Sequence, residues 1–332
     1  MILEGGVSHG GNVDIALRLA KAAADAGASA FKLQHYHADD FISKQDQEWH
    51  ERMRRKQLTD GEIIRVARAC ENFGITFLCT AHTLPAFEFL RFTVRVPAFK
   101  VGSGEIGNAS FINRICSVGR PVLVSTGMYS ETNIKQLIKQ LEEGSVSHHI
   151  ALLHCTTLYP AGPETINLRY IERMRNFFRG PIGYSDHSEG PEVSLAAVAL
   201  GASIIEKHIV PEEATEGQDR FCALRPRQLA GFVKAIHRVK ASLGSSLKPK
   251  TLTETEKHSR MWAGKSLVAK RKISPGEVVN STMLGALRPG TGIPVAKLYT
   301  LIGAKAVREI PEGKLLDKYD FETSYCLPHA EH

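Results

Sequence analysis

Short apolar segments alternate with amphipathic or alanine-rich segments from the start of the chain to residue 241. The apolar segments are Ile2–Gly6, Ala30–Gln34, Thr76–Thr80, Ala98–Val101, Pro121–Ser125, Ile150–Cys155, Pro181–Ser185 and Ser203–Lys207. They are short and mostly continuous, as is typical of parallel strands that are buried on both faces. The alternation therefore predicts eight parallel strands, each separated from the next by a helical connection.

The connecting segments have the pattern of surface helices. Val13–Ala26 is the clearest, because its apolar residues recur at helical spacing and Gly27 follows as a helix stop. Ile134–Leu141 and Gln228–Leu243 are comparable. Eight strands that alternate with helices predict a (β/α)8 barrel, also called a TIM barrel. A doubly wound open sheet is the alternative, but the strand count and the lack of an early Gly-x-Gly-x-x-Gly turn argue against it.

The alternation predicts a barrel domain over residues 1–243 and a polar linker over residues 244–262. Residues 263–325 read as a small, mostly β domain, because short apolar runs alternate there with Pro-Gly turns such as Ser274-Pro275-Gly276. Its predicted strands are Ser266–Lys270, Val278–Val279 and Ala306–Ile310. The tail after Phe321 is expected to fray.

Composition excludes several classes of protein. No run approaches the roughly 18 apolar residues that span a bilayer, so no membrane partner is expected. The first residues lack the basic start and apolar stretch of a secretion signal, and we expect a cytoplasmic protein. The six cysteines form no Cys-x-x-Cys pair, so a zinc knuckle or a disulfide framework is not expected.

The net charge of +7 is spread along the chain. Its densest run, Glu51-Arg52-Met53-Arg54-Arg55-Lys56, is interpreted as a solvated helix face, and no nucleic-acid module is recognised. A mildly basic enzyme does suit anionic substrates.

Two histidines, His187 and His208, follow consecutive predicted strands at the points where apolar residues give way to polar ones. If both strands lie in one parallel sheet, both imidazoles emerge at the same rim. Two neutral imidazoles with carboxylates nearby suit a divalent metal that keeps open positions for water or substrate. The alternative is that both are ordinary polar loop residues.

Polar side chains converge at the carboxyl ends of the predicted strands, where barrel enzymes place their chemistry. They are Glu4, Lys32, Gln34, Thr80, Lys100, Ser103, Glu105, Ser125, Thr126, His154, Thr156, Thr157, Tyr159, Ser185, Asp186, His187, Glu206 and His208. Packing alone does not explain this convergence, which predicts an active site at this rim.

Lys32 and Lys100 lie within strand-like runs, so each ammonium needs an anionic partner or a lowered pKa. Schiff-base chemistry is one interpretation. Two cations that clamp one anionic substrate fit better, because the hydroxyls of Ser103, Ser125 and Ser185 would surround a phosphate and a carboxylate. Pairing of both lysines with core carboxylates is the third alternative.

Six motifs occur in order along the chain and together carry a family resemblance. They are Lys32-Leu33-Gln34, Lys100-Val101-Gly102-Ser103-Gly104-Glu105, Ser125-Thr126-Gly127-Met128, Leu153-His154-Cys155-Thr156 with Tyr159-Pro160, Gly183-Tyr184-Ser185-Asp186-His187, and Glu206-Lys207-His208. The chain resembles the sialic acid synthase (N-acetylneuraminate synthase) family over nearly its whole length. The C-terminal part resembles that family's antifreeze-like (SAF) domain, around Lys265–Ala269 and Leu287–Gly290.

The resemblance implies a transferase that condenses phosphoenolpyruvate with an open-chain amino aldose to give a 2-keto sugar acid and phosphate. It implies Mn²⁺, or alternatively Mg²⁺ or Co²⁺, bound by His187 and His208, and a domain-swapped homodimer. The residues implied to bind phosphoenolpyruvate are Lys32, Thr80, Lys100, Ser103, Ser125, Thr157 and Ser185. Those implied to line the sugar and water positions are Glu4, Gln34, Glu105, Tyr159 and Asp219, with Arg288 contributed by the partner subunit. Catalytic roles fall to Glu105, Glu4, Lys32 and Lys100.

The chain departs from the family pattern on the sugar side. Ser8 stands where the family has Asn, Ala81-His82 replaces Pro-Phe, and residues 37–58 are short and highly charged. Thr157 also replaces an Asn of the family, which weakens one phosphoenolpyruvate contact. The acceptor could therefore be N-acetylmannosamine, a diamino hexose of the legionaminic or pseudaminic type, or another aldose. Alternative functions are another metal-dependent barrel lyase or aldolase and a non-catalytic sugar-binding protein.

Overall fold

A computed structural model describes residues 1–144, 149–215, 217–245 and 247–322. The chain divides into two compact units, Met1–Gly244 and Ser245–His332. Residues 323–332 lie outside the described residues; they hold all but the first residue of the predicted tail, the end of the predicted C-terminal domain, and Cys326. No helix in the described ranges is both long and apolar enough to cross a membrane.

The first unit is a closed barrel of eight parallel strands in sequence order, which confirms the predicted fold. The strands are β1 (Ile2–Gly6), β2 (Ala30–His35), β3 (Thr76–Ala81), β4 (Phe99–Val101), β5 (Val122–Ser125), β6 (Ile150–Cys155), β7 (Ile182–Asp186) and β8 (Ile204–His208). Closure is made by β1 and β8, where Glu4 is paired in register with His208.

Helices cover the outside of the barrel. They are α1 (Val13–Asp25), α2 (Ala38–Phe41), α3 (Gln47–Lys56), α4 (Asp60–Asn72), α5 (Leu84–Phe89), α6 (Ala109–Cys116), α7 (Glu131–Glu143), α8 (Pro163–Ile166), α9 (Tyr170–Met174), α10 (Glu192–Ala199) and α11 (Pro226–Ser242). Local sequence determines where two of these helices begin. Thr59 with Glu62 forms a capping box at the start of α4, and Ser130 with Asn133 forms one at the start of α7. The charged helix α3 has no buried residue, as predicted for a solvated face.

Successive residues of each strand face alternately outward, toward the helices, and inward, toward the barrel interior. Outward-facing residues such as Leu3, Phe31 and Val124 pack against the helices in the main hydrophobic core. Inward-facing residues such as Ile2 and Leu153 form a small apolar layer inside the barrel. The inward positions that follow toward the carboxyl ends are polar, so the barrel is filled below and carries its polar groups at one rim.

The second unit has its own apolar core. A two-stranded antiparallel sheet pairs β9 (Ser266–Ala269) with β10 (Leu284–Leu287), and α13 (Leu298–Leu301) follows. The segment predicted as a linker, 244–262, contains the unpredicted helix α12 (Glu254–Ala263) in its second half. Thr253 and Glu256 form a capping box that starts this helix, and β10 was not predicted.

Candidate active site

Four buried charged side chains form the centre of the barrel mouth. Lys32 Nζ lies 2.6 Å from Glu4 Oε2 and 3.7 Å from Glu206 Oε2. Lys100 Nζ lies 3.9 Å from Glu206 Oε1 and donates a 2.7 Å hydrogen bond to Ser125 Oγ. All four are at most 4% exposed. Both lysines therefore contact carboxylates, as one of the three alternatives predicted, and Glu206 lies between them.

Burial and pairing shift the pKa values of these groups in different directions. Burial raises the pKa of Glu4, and Lys32 offsets this only in part. Burial would also raise the pKa of Glu206, but Lys100 and Lys32 outweigh it and lower that pKa to about 2. Burial lowers the pKa of Lys100, whereas Glu206 and Glu4 outweigh burial at Lys32 and raise its pKa. Glu206 stays ionised, and Glu4 is the carboxylate that most readily takes a proton.

Hydroxyl groups surround the lysines. Thr80 Oγ1 accepts a 3.1 Å hydrogen bond from Lys32 Nζ, and Ser185 Oγ donates a 3.1 Å hydrogen bond to Glu206 Oε1. On the Lys100 side, Gly127 N donates to Ser103 Oγ at 2.8 Å. The predicted phosphoenolpyruvate residues of five strands thus lie around one centre.

The turn after β5 is closely packed against the hydroxyls of Ser103 and Thr157. A Cβ added at Gly127 would overlap Thr157 Oγ1 and lie 2.8 Å from Ser103 Oγ. Thr157 Oγ1 itself is buried and has no hydrogen-bond partner. A buried hydroxyl that lacks a partner is available to a ligand oxygen.

A second group of predicted residues surrounds Gly6, whose φ is +50°. Gln34 Nε2 donates a 3.3 Å hydrogen bond to Glu4 Oε1, and Gln34 Oε1 lies 3.3 Å from His82 Nε2. A Cβ added at Gly6 would lie within 3.7 Å of Glu4, Gln34 and Asp219. These three side chains therefore meet at one place beside the lysine centre.

His187 and His208 lie side by side, with ring centroids 5.2 Å apart. His187 Nδ1 lies 2.7 Å from the Thr156 carbonyl oxygen, so Nδ1 carries the proton and Nε2 is free as a ligand. His208 Nδ1 is buried without a hydrogen-bond partner, 3.8 Å from Asp219 Oδ2. Burial lowers the pKa of His187 to about 4, which keeps its imidazole neutral. This donor pair fits a divalent metal ion.

A buried ion pair on the outer side of the barrel holds the His187 turn. Lys207 Nζ lies 3.0 Å from Asp186 Oδ2 and donates a 2.6 Å hydrogen bond to the Ser188 carbonyl oxygen. Asp186 Oδ1 also accepts a hydrogen bond from Ser188 N at 2.8 Å. Because these contacts bracket residue 187, they fix where its ring emerges at the rim.

The remaining predicted residues are less closely connected. The Tyr159 ring lies 4.1 Å from that of His187. Glu105 is half-buried and accepts a 2.7 Å hydrogen bond from Asn108, and among the described residues no ion pair or hydrogen bond joins it to the lysines. Burial raises its pKa. Arg288 belongs to the second unit.

Glu206 is the central residue that the assignment of roles from sequence missed, although it was among the polar strand ends. The signal was strand periodicity, because Glu206 and His208 are two residues apart and must face the same side. His82 was noted as a departure from the family pattern, but its contacts in the site were not predicted. Its contact with Gln34 depends on tertiary structure.

Comparison with known proteins identifies the family of the chain. The NeuB family model matches residues 19–248, and the SAF domain model matches residues 264–322. An N,N'-diacetyllegionaminic acid synthase from Campylobacter jejuni is 31% identical, covering 95% of this chain and 98% of its own. The human N-acetylneuraminate-9-phosphate synthase is 32% identical, covering 94% and 89%.

Solved structures give the same result. The N-acetylneuraminic acid synthetase of Leptospira borgpetersenii is 30% identical and superimposes with a TM-score of 0.72, covering 78% of this chain and 90% of that one. A truncated 3-deoxy-D-arabino-heptulosonate 7-phosphate synthase from Thermotoga maritima, at 15% identity and a TM-score of 0.59, shares the fold.

Proposed function

The chain belongs to the NeuB family of sialic acid synthases, and from this premise we propose that it condenses phosphoenolpyruvate with an open-chain amino aldose. The products are a 2-keto-3-deoxy sugar acid and phosphate. The observation that carries the proposal is the buried centre of Lys32, Lys100, Glu4 and Glu206 at the barrel mouth.

The charges of this centre suit phosphoenolpyruvate. Two ammonium groups face two carboxylates. Because the pKa of Glu4 is raised, this carboxylate can take up a proton, and the centre then carries a net positive charge. Phosphate and carboxylate oxygens accept charge-assisted hydrogen bonds from lysines. We assign Lys32, Lys100, Thr80, Ser103, Ser125, Thr157 and Ser185 to this ligand, supported by the contacts that gather their hydroxyl and ammonium groups at the barrel mouth.

His187 and His208 would hold the divalent ion, with Mn²⁺ proposed over Mg²⁺ and Co²⁺. When bound, such an ion draws electron density from an aldehyde oxygen and makes its carbon electrophilic. Among the described residues no third His, Cys, Asp or Glu side chain completes a ligand group with this pair. Water and substrate would supply the remaining ligands, as in a catalytic site.

The residues divide the chemistry between them. Carbon 3 of phosphoenolpyruvate attacks the aldehyde carbon, and the aldehyde oxygen takes a proton for which Glu4 is the proposed donor. The cation left at carbon 2 is stabilised by Glu105, which also helps a water molecule add there. The resulting tetrahedral centre expels phosphate by C–O cleavage, while Lys32 and Lys100 balance the charge of the leaving group.

Glu4, Gln34 and Asp219 beside Gly6, with Tyr159, are assigned to the acceptor sugar and the water. Arg288 is assigned to the partner subunit's site in a domain-swapped homodimer. The acceptor remains an amino aldose of the N-acetylmannosamine, legionaminic or pseudaminic type, because the chain departs from its family on this side.

The test is phosphate release from phosphoenolpyruvate with Mn²⁺ and a panel of six-carbon aldoses. We expect aldose-dependent release, and loss of at least about 100-fold in kcat/KM for Lys100→Met, since that change removes a charged contact to the leaving group. No aldose-dependent release with any aldose would contradict the proposal. A borohydride-trapped lysine adduct formed without phosphoenolpyruvate would favour a Schiff-base lyase instead.

A further inference from the structure

A second group of metal-ligating side chains lies outside the barrel mouth. His35 is the last residue of β2, His37 directly precedes α2, and Asp60 is the first residue of α4. Their donor atoms all lie within 4.8 Å of one another, and among the described residues this is the one such group of three. No role in the proposed condensation falls to any of them.

The distances match the edges of a metal coordination shell. His35 Nε2 lies 3.1 Å from Asp60 Oδ1, and His37 Nε2 lies 3.2 Å from the same oxygen. A tetrahedral zinc ion with bonds of about 2.0–2.1 Å separates its ligand atoms by about 3.3 Å. Two of the three distances between ligand atoms are therefore close to those that such an ion requires, and the third is within 4.8 Å.

The buried member of the group approaches Asp60 without forming a hydrogen bond to it. His35 is 1% exposed, and neither of its ring nitrogens makes a hydrogen bond. Asp60 Oδ1 is likewise without a hydrogen-bond partner, although two imidazoles approach it. Unsatisfied buried donors and acceptors require a partner, and a cation would supply one.

We propose that His35, His37 and Asp60 bind a divalent transition-metal ion of the zinc type. Two imidazole nitrogens and one carboxylate oxygen are a usual zinc donor set. The side chains of His37 and Asp60 are 41% and 49% exposed, so water completes the shell from the solvent side.

The ion would tie together the two ends of one segment. Residues 38–59, which carry α2 and α3, leave the barrel after His37 and return at Asp60. Phe41 of α2 stacks on His82 with ring centroids 4.5 Å apart, and His82 contacts Gln34. Binding at the base of this segment would therefore order a wall of the acceptor side. Metal binding by His35, His37 and Asp60 does not require the proposed condensation to take place.

The test titrates metal-free full-length protein with Zn²⁺ alone and measures stoichiometry and affinity by calorimetry. It is done in a His187→Ala/His208→Ala background, which removes the barrel-mouth pair. We expect one bound equivalent of Zn²⁺. His37→Ala should weaken binding at least about 100-fold, because loss of a residue that only hydrogen-bonds to a ligand already costs about 10–100-fold in metal affinity. His50→Ala is the matched control, because His50 Nε2 forms a similar pair with Asp39 Oδ1 at 3.1 Å. This variant should bind Zn²⁺ with unchanged affinity.

Asp60→Asn serves as a second variant that keeps the shape of the side chain, and circular dichroism checks the fold of each protein. Co²⁺ substitution should give visible absorption that both variants abolish. Absence of any bound Zn²⁺ in the background protein, or unchanged affinity in His37→Ala and Asp60→Asn, would overturn the proposal. Loss of phosphate release with this site intact would bear on the proposed function alone.

Discussion

Glu206 shows how one side chain organises the barrel mouth. It lies 3.7 Å from Lys32 and 3.9 Å from Lys100, and accepts a hydrogen bond from Ser185. All of these groups are buried, so the lysines depend on the carboxylates to balance their charge. Removal of the Glu206 carboxylate therefore leaves a positive charge that an anionic ligand can balance.

Glu206→Gln should lower the free energy of unfolding by about 3–5 kcal/mol, since it breaks a buried ion network while keeping the shape. Phosphoenolpyruvate should recover part of this loss. Urea unfolding with and without phosphoenolpyruvate measures both effects. Glu213→Gln, which removes an exposed partner of Arg18, is the control and should cost under about 1 kcal/mol. Equal losses in the two variants would contradict the account.

His9 gives the protein an acid-sensitive position away from the proposed metal ligands. The residue is 2% exposed, its Nδ1 accepts a 3.1 Å hydrogen bond from Gly11 N, and burial lowers its pKa to about 4. The unfolded chain binds this proton near pH 6.5, so stability is full above that value and falls as the pH drops toward 4. At about 1.4 kcal/mol per pKa unit, the shift from 6.5 to about 4 corresponds to a loss of about 3 kcal/mol.

Urea unfolding between pH 7 and pH 4 tests this prediction with wild type and His9→Gln. The variant should start less stable at pH 7 and lose less stability on acidification. A slope against pH that does not differ between the two proteins would show that His9 is not the group responsible.

At the scale of elements, strand periodicity predicted most of the barrel. The bounds of β1 and β6 agree with those expected, and β5 begins one residue late because Pro121 has no N–H to donate to the ladder. β10 was missed because its sequence Leu-Gly-Ala-Leu has little strand propensity and depends on pairing with β9. α12 was missed although Thr253 and Glu256 carry a capping signal, because its surroundings are polar.

The site was predictable only where strand ends set it. Strand order and alternation place Lys32, Lys100 and His208 at one rim, so sequence alone brought them together. The Phe41–His82–Gln34 contacts join α2, the turn after β3 and strand β2, and no local pattern encodes them. Hence the acceptor side could not be read from sequence in the same detail.

A substitution in the turn between β5 and α7 tests the packing of the turn against the hydroxyls of Ser103 and Thr157. Gly127→Ala should raise the KM for phosphoenolpyruvate at least about 10-fold, because the added methyl overlaps Thr157 Oγ1 and crowds Ser103. Steady-state kinetics measures the effect, and Thr157→Ala should partly reverse it. Gly104→Ala is the control, since a Cβ there meets nothing within 4 Å. Equal KM values for the two alanine variants would contradict this description of the turn.

The whole molecule is proposed to work as a swapped pair. If Arg288 serves the partner's site, Arg288→Ala and Lys100→Met should complement each other when co-expressed. Half of the dimers would be mixed, and one of their two sites would carry both intact residues, giving about a quarter of wild-type activity. Each variant expressed alone is the control. A co-expressed mixture no more active than its components would place Arg288 in its own subunit's site or outside catalysis.

The fate of the bridging oxygen of phosphoenolpyruvate tests the proposed condensation most directly. With ¹⁸O in the bridge between carbon 2 and phosphorus, mass spectrometry locates the label after turnover with an accepted aldose. The account predicts that the label leaves with phosphate, because water adds at carbon 2 and the C–O bond breaks. Label retained in the sugar acid, or phosphate released without a new carbon–carbon bond, would contradict it.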